Sequence, residues 1–229
     1  MAKVAVCLEL ATKRVFASAL EWPGWCRAGR DEAQAIEALV AYASRYTKVA
    51  SEAGLKLPAK PEVDVVERLA GSAGTDFGVP GAIAKHEQRA LSKNEADRRI
   101  ALVEAGWRVF DGVAKRAPAA LSKGPRGGGR DRDKIVEHVL GAEVAYAQKL
   151  GARLKQPNLG DANAIAEHRS AIVAALRDPQ SPPKSKPWPA AYAARRIALL
   201  PPKRIGTEVW RFCTRSNRIG IRIALNRLL

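Results

Sequence analysis

One histidine on a long amphipathic helix is the first candidate for chemistry in this sequence. A glycine-rich basic loop at residues 123–130 leads into Asp131 and Asp133, which favour a helix start, and an amphipathic pattern continues to Leu150. On this helix His138 falls at three- and four-residue spacing with apolar neighbours, so we expect it on the core-facing side. Those neighbours are Ile135, Val139, Ala142, Tyr146 and Leu150. An imidazole there can bind a metal ion, but a core histidine hydrogen-bonded to a neighbour is the favoured interpretation.

A second histidine lies on another predicted helix, residues 161–177. His168 shares an apolar face with Ile165, Ile172 and Leu176, so it could meet His138 between the helices. With Glu143 or Glu167 the two histidines could make a small metal site, although both glutamates are expected to be solvated helix charges. His86 falls in a polar stretch and is expected to be exposed.

Basic residues suggest two anion-binding regions. Arg126 and Arg130 flank three glycines before the His138 helix, where free amides and guanidinium groups favour a phosphate or carboxylate. The loop lacks the Gly-Lys-Ser/Thr ending of a nucleotide-binding P-loop, and a flexible connection is the commoner explanation. In the tail a basic stripe able to grip nucleic-acid phosphates would form if the chain were helical. It comprises Arg211, Arg215, Arg218 and Arg222.

Composition limits the classes of protein that fit. The net charge of +16 is concentrated from Lys184 onward, where the net is +10, so the basicity belongs mainly to the tail. The three separated cysteines form neither a disulfide framework nor a zinc ribbon, and Cys26 is expected to be a small buried side chain. No apolar run is long enough for a membrane span and no signal peptide is recognisable, so we expect a cytoplasmic protein. A homodimer is compatible with these features.

The patterns predict an α+β chain with a small α/β unit before a helical region. Residues 4–10 and 14–20 are predicted strands, residues 31–46 a helix, and residues 63–69 another strand. From Ser92, which opens a capping box with Glu95, predicted helices follow, the last over residues 190–200. The predicted organisation is an α/β domain over 1–70, a linker over 71–91, a helical bundle over 92–200 and an atypical basic tail over 201–229.

Two segments resemble known families. V-F-A-S-A-L-E-W-P-G-W-C-R-A-G-R-D-E-A-Q-A-I-E-A-L-V-A-Y (15–42) resembles HicB-like antitoxin domains. G-P-R-G-G-G-R-D-R-D-K-I-V-E-H-V-L-G-A-E-V-A-Y (124–146) is similar to the loop and helix that supply the first metal ligand in the DinB-like four-helix bundles, which would be His138. That resemblance implies a divalent ion, zinc or nickel, and an isomerase or transferase using a low-molecular-weight thiol.

The late His-x-x-x-His helix of DinB-like proteins is missing, because the chain reads L-L-P-P-K at residues 199–203 and has no histidine after His168. We therefore expect the enzyme implied by the resemblance to be impaired, with weak or absent metal binding. The alternative is a non-enzymatic antitoxin-like or nucleic-acid-binding module that uses the HicB-like domain and the basic tail.

Overall fold

The computed structural model describes residues 3–58, 60–121, 131–179 and 186–199. Within them a mixed sheet is combined with helices, so the predicted α+β class is confirmed. No helix among the described residues has the length and apolar character needed to cross a membrane. The elements in chain order are β1 (Lys3–Leu10), β2 (Val15–Ala19), β3 (Cys26–Gly29), α1 (Glu32–Ala41), α2 (Ala43–Glu52), β4 (Glu62–Ala70), α3 (Ala73–Phe77), α4 (Lys85–Gln88), α5 (Lys93–Arg116), α6 (Arg132–Gln148), α7 (Ala162–Arg177) and α8 (190–199).

The sheet has the strand order β3-β2-β1-β4. β1 and β2 form the predicted antiparallel hairpin, whereas β4 lies parallel to β1. The short strand β3 was not predicted; it pairs with β2 after a tight turn in which Trp25 N donates to Trp22 O at 3.0 Å. Gly24 in this turn has φ +90°, a conformation that favours glycine. This turn therefore leads directly into β3.

One face of the sheet is covered by α1 and α2. The single helix predicted over residues 31–46 is wrong, because the chain breaks at Tyr42 and continues as a second helix to Glu52. Trp25 donates from Nε1 to Leu39 O at 2.9 Å, and its ring stacks on Tyr46 with centroids 5.5 Å apart. These contacts attach both helices to the turn that precedes β3.

Helix α5 belongs to two hydrophobic cores at once. Leu102 and Ala105 pack with the sheet, α1 and α2. Ile100, Val103 and Trp107 face the other way and pack with α6, α7 and α8. The sheet and the helical region are thus joined through α5, which both cores share.

The segment 71–91, predicted as a linker, packs closely against the sheet. It holds the short helices α3 and α4. The buried Glu9 carboxylate accepts hydrogen bonds from Thr75 Oγ1 at 2.5 Å and from the amides of Gly81 and Ala82, both at 2.9 Å. Because a buried carboxylate needs such donors, these bonds fix the segment on the second face of the sheet.

Helix α8 joins this segment, the sheet and the helical core. All of its residues from Ala191 to Leu199 are buried. Arg195 forms a buried ion pair with Glu87 of α4, its Nε lying 2.6 Å from Oε1. Although burial alone would lower the pKa of Arg195, the Glu87 carboxylate raises it above the ordinary value. The predicted helix over 190–200 is seen as far as residue 199; the tail lies outside the described residues.

Candidate functional site in the helical core

The predicted candidate His138 is half-buried at the edge of the core-facing side of α6. It lines an open surface depression of about 650 Å³. The other lining residues are Lys134, Glu137, Gly141, Ala142 and Gln156. The predicted core face was wrong, because α6 is rotated slightly about its axis. The buried residues follow four-residue steps from Ile135, with Leu140 beside them. They are Ile135, Val139, Leu140, Glu143 and Ala147.

The buried face of α6 includes a carboxylate. Glu143 is 0% exposed, so the expectation of a solvated helix charge is wrong, whereas Glu167 on α7 is exposed as expected. Opposite Glu143 lies His168 of α7, whose side chain is 3% exposed. Its Nε2 lies 3.5 Å from Glu143 Oε2. The structure therefore brings His168 to Glu143.

Several polar atoms around this pair have no hydrogen-bond partner among the residues that the structure describes. They are both carboxylate oxygens of Glu143, both ring nitrogens of His168, Nε of Arg169 and Nε1 of Trp107. A buried polar atom left unpaired costs about 1–3 kcal/mol, more when the group is charged. Several such atoms among neighbouring side chains indicate that a partner other than the described residues completes this site.

Arg169 is held beside the pair by residues of α5. Its Nη1 and Nη2 donate to the two Asp111 oxygens at 2.5 and 3.1 Å. Its guanidinium carbon lies 5.2 Å from the centre of the Trp107 ring, and its Nε lies 4.0 Å from Glu143 Oε2. We call Trp107, Asp111, Glu143, His168 and Arg169 the Glu143 cluster.

Two side chains of the Glu143 cluster carry atoms that can bind a metal ion. A carboxylate oxygen and an imidazole nitrogen are both ligands for zinc and nickel. Two ligand atoms on a tetrahedral zinc ion lie roughly 3.4 Å apart, close to the observed 3.5 Å between Glu143 and His168. Among the described residues, no group of three His, Cys, Asp or Glu side chains could hold a metal ion, and His138 does not join this pair.

The remaining predicted site residues fall elsewhere. Arg126, Arg130, Arg211, Arg215, Arg218 and Arg222 lie outside the described residues. Cys26 is buried as expected, with its sulfur accepting a hydrogen bond from Ser18 Oγ at 3.1 Å. Cys7 is also a buried free thiol, and burial raises its pKa to about 12. A thiol with so high a pKa carries little thiolate at neutral pH.

The sequence indicated His168 and Glu143 as possible partners, although Glu143 was expected to be solvated. The burial of Glu143 could have been predicted, because it continues the four-residue steps of Ile135, Val139 and Ala147. Arg169 and Asp111 gave no comparable signal, since each is an ordinary charged residue until two helices bring them together.

No protein-family model, curated protein or solved structure matches this chain. The DinB-like and HicB-like resemblances therefore stay predictions.

Proposed function

We propose that the protein binds one divalent metal ion, zinc or nickel, in its helical core through Glu143 and His168. The observation that supports this most strongly is that Glu143 Oε2 and His168 Nε2 lie 3.5 Å apart, both buried and without a hydrogen-bond partner among the described residues. The pair replaces the predicted combination of His138 with His168.

The distance between the two side chains favours a metal ion over a shared proton. A charged imidazolium donating to a carboxylate forms a hydrogen bond of roughly 2.7–2.9 Å. The observed separation is longer than this and agrees with two ligands of one ion.

The chain's own residues would have separate roles at such a centre. Glu143 would supply an oxygen ligand and His168 a nitrogen ligand, while the buried Trp107 ring keeps bulk water away. Arg169 offsets the charges of Glu143 and Asp111. When bound, zinc or nickel lowers the pKa of a coordinated water or thiol. The thiol partner and the transferase or isomerase reaction are proposed from the DinB-like resemblance.

Calorimetric titration of the metal-free full chain with zinc and nickel tests the proposal. We expect one-to-one binding by the unmodified chain, at least 100-fold weaker binding by Glu143→Gln and His168→Gln, and unchanged binding by the control His138→Gln. The control removes a half-buried histidine from α6 and leaves the pair intact. Absence of binding by the unmodified chain, or loss of binding in His138→Gln alone, would refute the proposal.

A further inference from the structure

The most exposed large apolar side chain among the described residues lies at one end of the sheet. It is Phe77, the last residue of α3, which is 88% exposed, and Val79 nearby is 43% exposed. The segment that carries them starts beside the end of β1, because Gly71 N donates to Leu10 O at 2.6 Å. An aromatic ring therefore stands in solvent next to the turn between β1 and β2.

Two basic residues of that turn lie against α3. The backbone amide of Lys13 donates to Asp76 Oδ1 at 2.7 Å. The guanidinium of Arg14 lies beside Gly78, where an added Cβ would come within 2.9 Å of Nη1. Both cations are thus next to Phe77 in the fold, although more than sixty residues separate them from it in the sequence.

A third basic residue, Arg30, joins this end of the sheet from β3. It directly follows Gly29, which pairs with Val15, the residue after Arg14. No described acidic side chain pairs with the side chains of these three cations. The neighbouring carboxylates accept hydrogen bonds from backbone amides instead, Asp31 from Gln34 N and Asp76 from Lys13 N. We call Lys13, Arg14, Arg30, Phe77 and Val79 the Phe77 surface.

We infer that the Phe77 surface binds single-stranded nucleic acid, with a base stacked on the phenyl ring and backbone phosphates held by the three basic side chains. Proteins that bind single strands combine basic residues along the backbone with exposed aromatic rings on which bases stack. Lys13 and Arg30 are exposed and Arg14 is half-buried, so phosphates can reach them. The inference does not depend on the proposed metal site.

The same features disfavour other occupants of the Phe77 surface. The bases of a duplex are stacked on one another and would have to be unstacked to reach Phe77. A protein partner needs roughly 800 Å² of surface with an apolar centre, whereas Phe77 and Val79 are the exposed large apolar residues that the described chain offers here. The chain's own tail is disfavoured by charge, because Glu208 is the one acidic side chain among its basic residues.

Fluorescence anisotropy with the full chain, in a chelator, tests the inference. The probes are labelled oligouridylate and oligodeoxythymidylate of about 12 nucleotides, which distinguish RNA from DNA. We expect Phe77→Ala to weaken binding of the preferred probe at least about fivefold. Phe77→Leu should weaken it nearly as much, because leucine has apolar bulk but no π-face, and Phe77→Trp should retain the affinity.

The control for these variants is Val40→Ala, which removes an exposed apolar side chain from α1. It should change the affinity by less than about twofold. Full affinity in Phe77→Leu, or no binding of either probe by the unmodified chain, would overturn the inference.

The salt dependence of binding tests the basic side chains. Lys13→Gln and Arg14→Gln should each lower the slope of log K against log salt by about 0.7, the value for one phosphate contact on a single strand. The matched control Lys48→Gln also removes one exposed charge, but from α2, and should leave the slope unchanged. An equal decrease in Lys48→Gln would show that binding follows net charge alone, and would overturn the inference.

Photochemical crosslinking separates the Phe77 surface from the basic tail, which is common to all of these variants. A single strand that carries iodouracil should crosslink to the aromatic ring on which the modified base stacks. We expect the crosslink at Phe77, identified by mass spectrometry, and its loss in Phe77→Leu. A crosslink confined to residues 201–229, or an equal yield at Phe77 from a duplex that contains the same strand, would overturn the inference.

Discussion

Replacing Glu143 by glutamine should have opposite effects on stability with and without metal. In the metal-free protein no described residue hydrogen-bonds to the buried Glu143 carboxylate, so replacing it by a neutral side chain removes the cost of burying an unpaired charge. Arg169 stays compensated because Asp111 holds it in a bidentate pair. We therefore expect Glu143→Gln to raise the free energy of unfolding by about 1–3 kcal/mol. Residues that bind ligands commonly lower stability in this way.

With zinc the order should reverse. A ligand that binds only the folded state stabilises it by about 2.7 kcal/mol at a free concentration 100 times its Kd. The unmodified chain should gain this amount and Glu143→Gln should gain almost none. Urea unfolding in a chelator and at a buffered free zinc concentration measures both differences.

The control for this experiment is Glu167→Gln, which removes an exposed carboxylate beside His168 in sequence. It should shift stability by less than about 0.5 kcal/mol in either buffer. If Glu143→Gln destabilises the protein in chelator by more than 1 kcal/mol, the carboxylate is satisfied by protein groups, and the reasoning that a ligand completes the site is refuted.

Three further predictions concern the scaffold and one concerns the tail. Ser92→Ala should lower the unfolding free energy by about 1 kcal/mol in urea, because its side chain caps α5 at Glu95 N. Glu87→Gln should lower the unfolding free energy by about 3–5 kcal/mol in the same assay, since it leaves Arg195 buried without its ion-pair partner. A decrease of less than 1 kcal/mol would contradict this. Burial raises the pKa of the Cys7 thiol from 9.0 to about 12. The stability that the neutral buried thiol contributes is therefore fully present below pH 9 and is lost as the pH rises from 9 to 12. In Cys7→Ala the melting temperature should fall less steeply over this pH range. If the alternative nucleic-acid function holds, RNA or DNA binding should weaken steeply with salt and disappear on deletion of residues 201–229; salt-insensitive binding would count against it.

Local patterns predicted the elements that local chemistry specifies. The hairpin of β1 and β2 follows from two apolar runs around a short turn, and the α5 start follows from the Ser92–Glu95 capping box. The strand β3 could not be predicted in the same way, because its four residues are a strand only through pairing with β2. The break at Tyr42 was also hidden, since the apolar spacing runs through it without interruption.

Less of the candidate site than of the fold could be predicted from the sequence. The apolar face around His168 was predicted correctly, and His168 is buried there. Glu143 was named as a possible partner of His168, but the contact with His138 was wrong, because the packing of α6 on α7 depends on a small rotation that moves Glu143 inward and His138 outward. Such a rotation is set by packing among several helices, and a single-helix pattern does not specify it to within one residue.

The crystal structure of the zinc-soaked full chain, with anomalous diffraction measured at the zinc edge, tests the central claim most directly. We expect one strong peak in the helical core, about 2.0–2.2 Å from a Glu143 oxygen and a His168 nitrogen. The Arg169 guanidinium should remain paired with Asp111 in that structure. A peak at His138 or at a cysteine, with none between Glu143 and His168, would contradict the account.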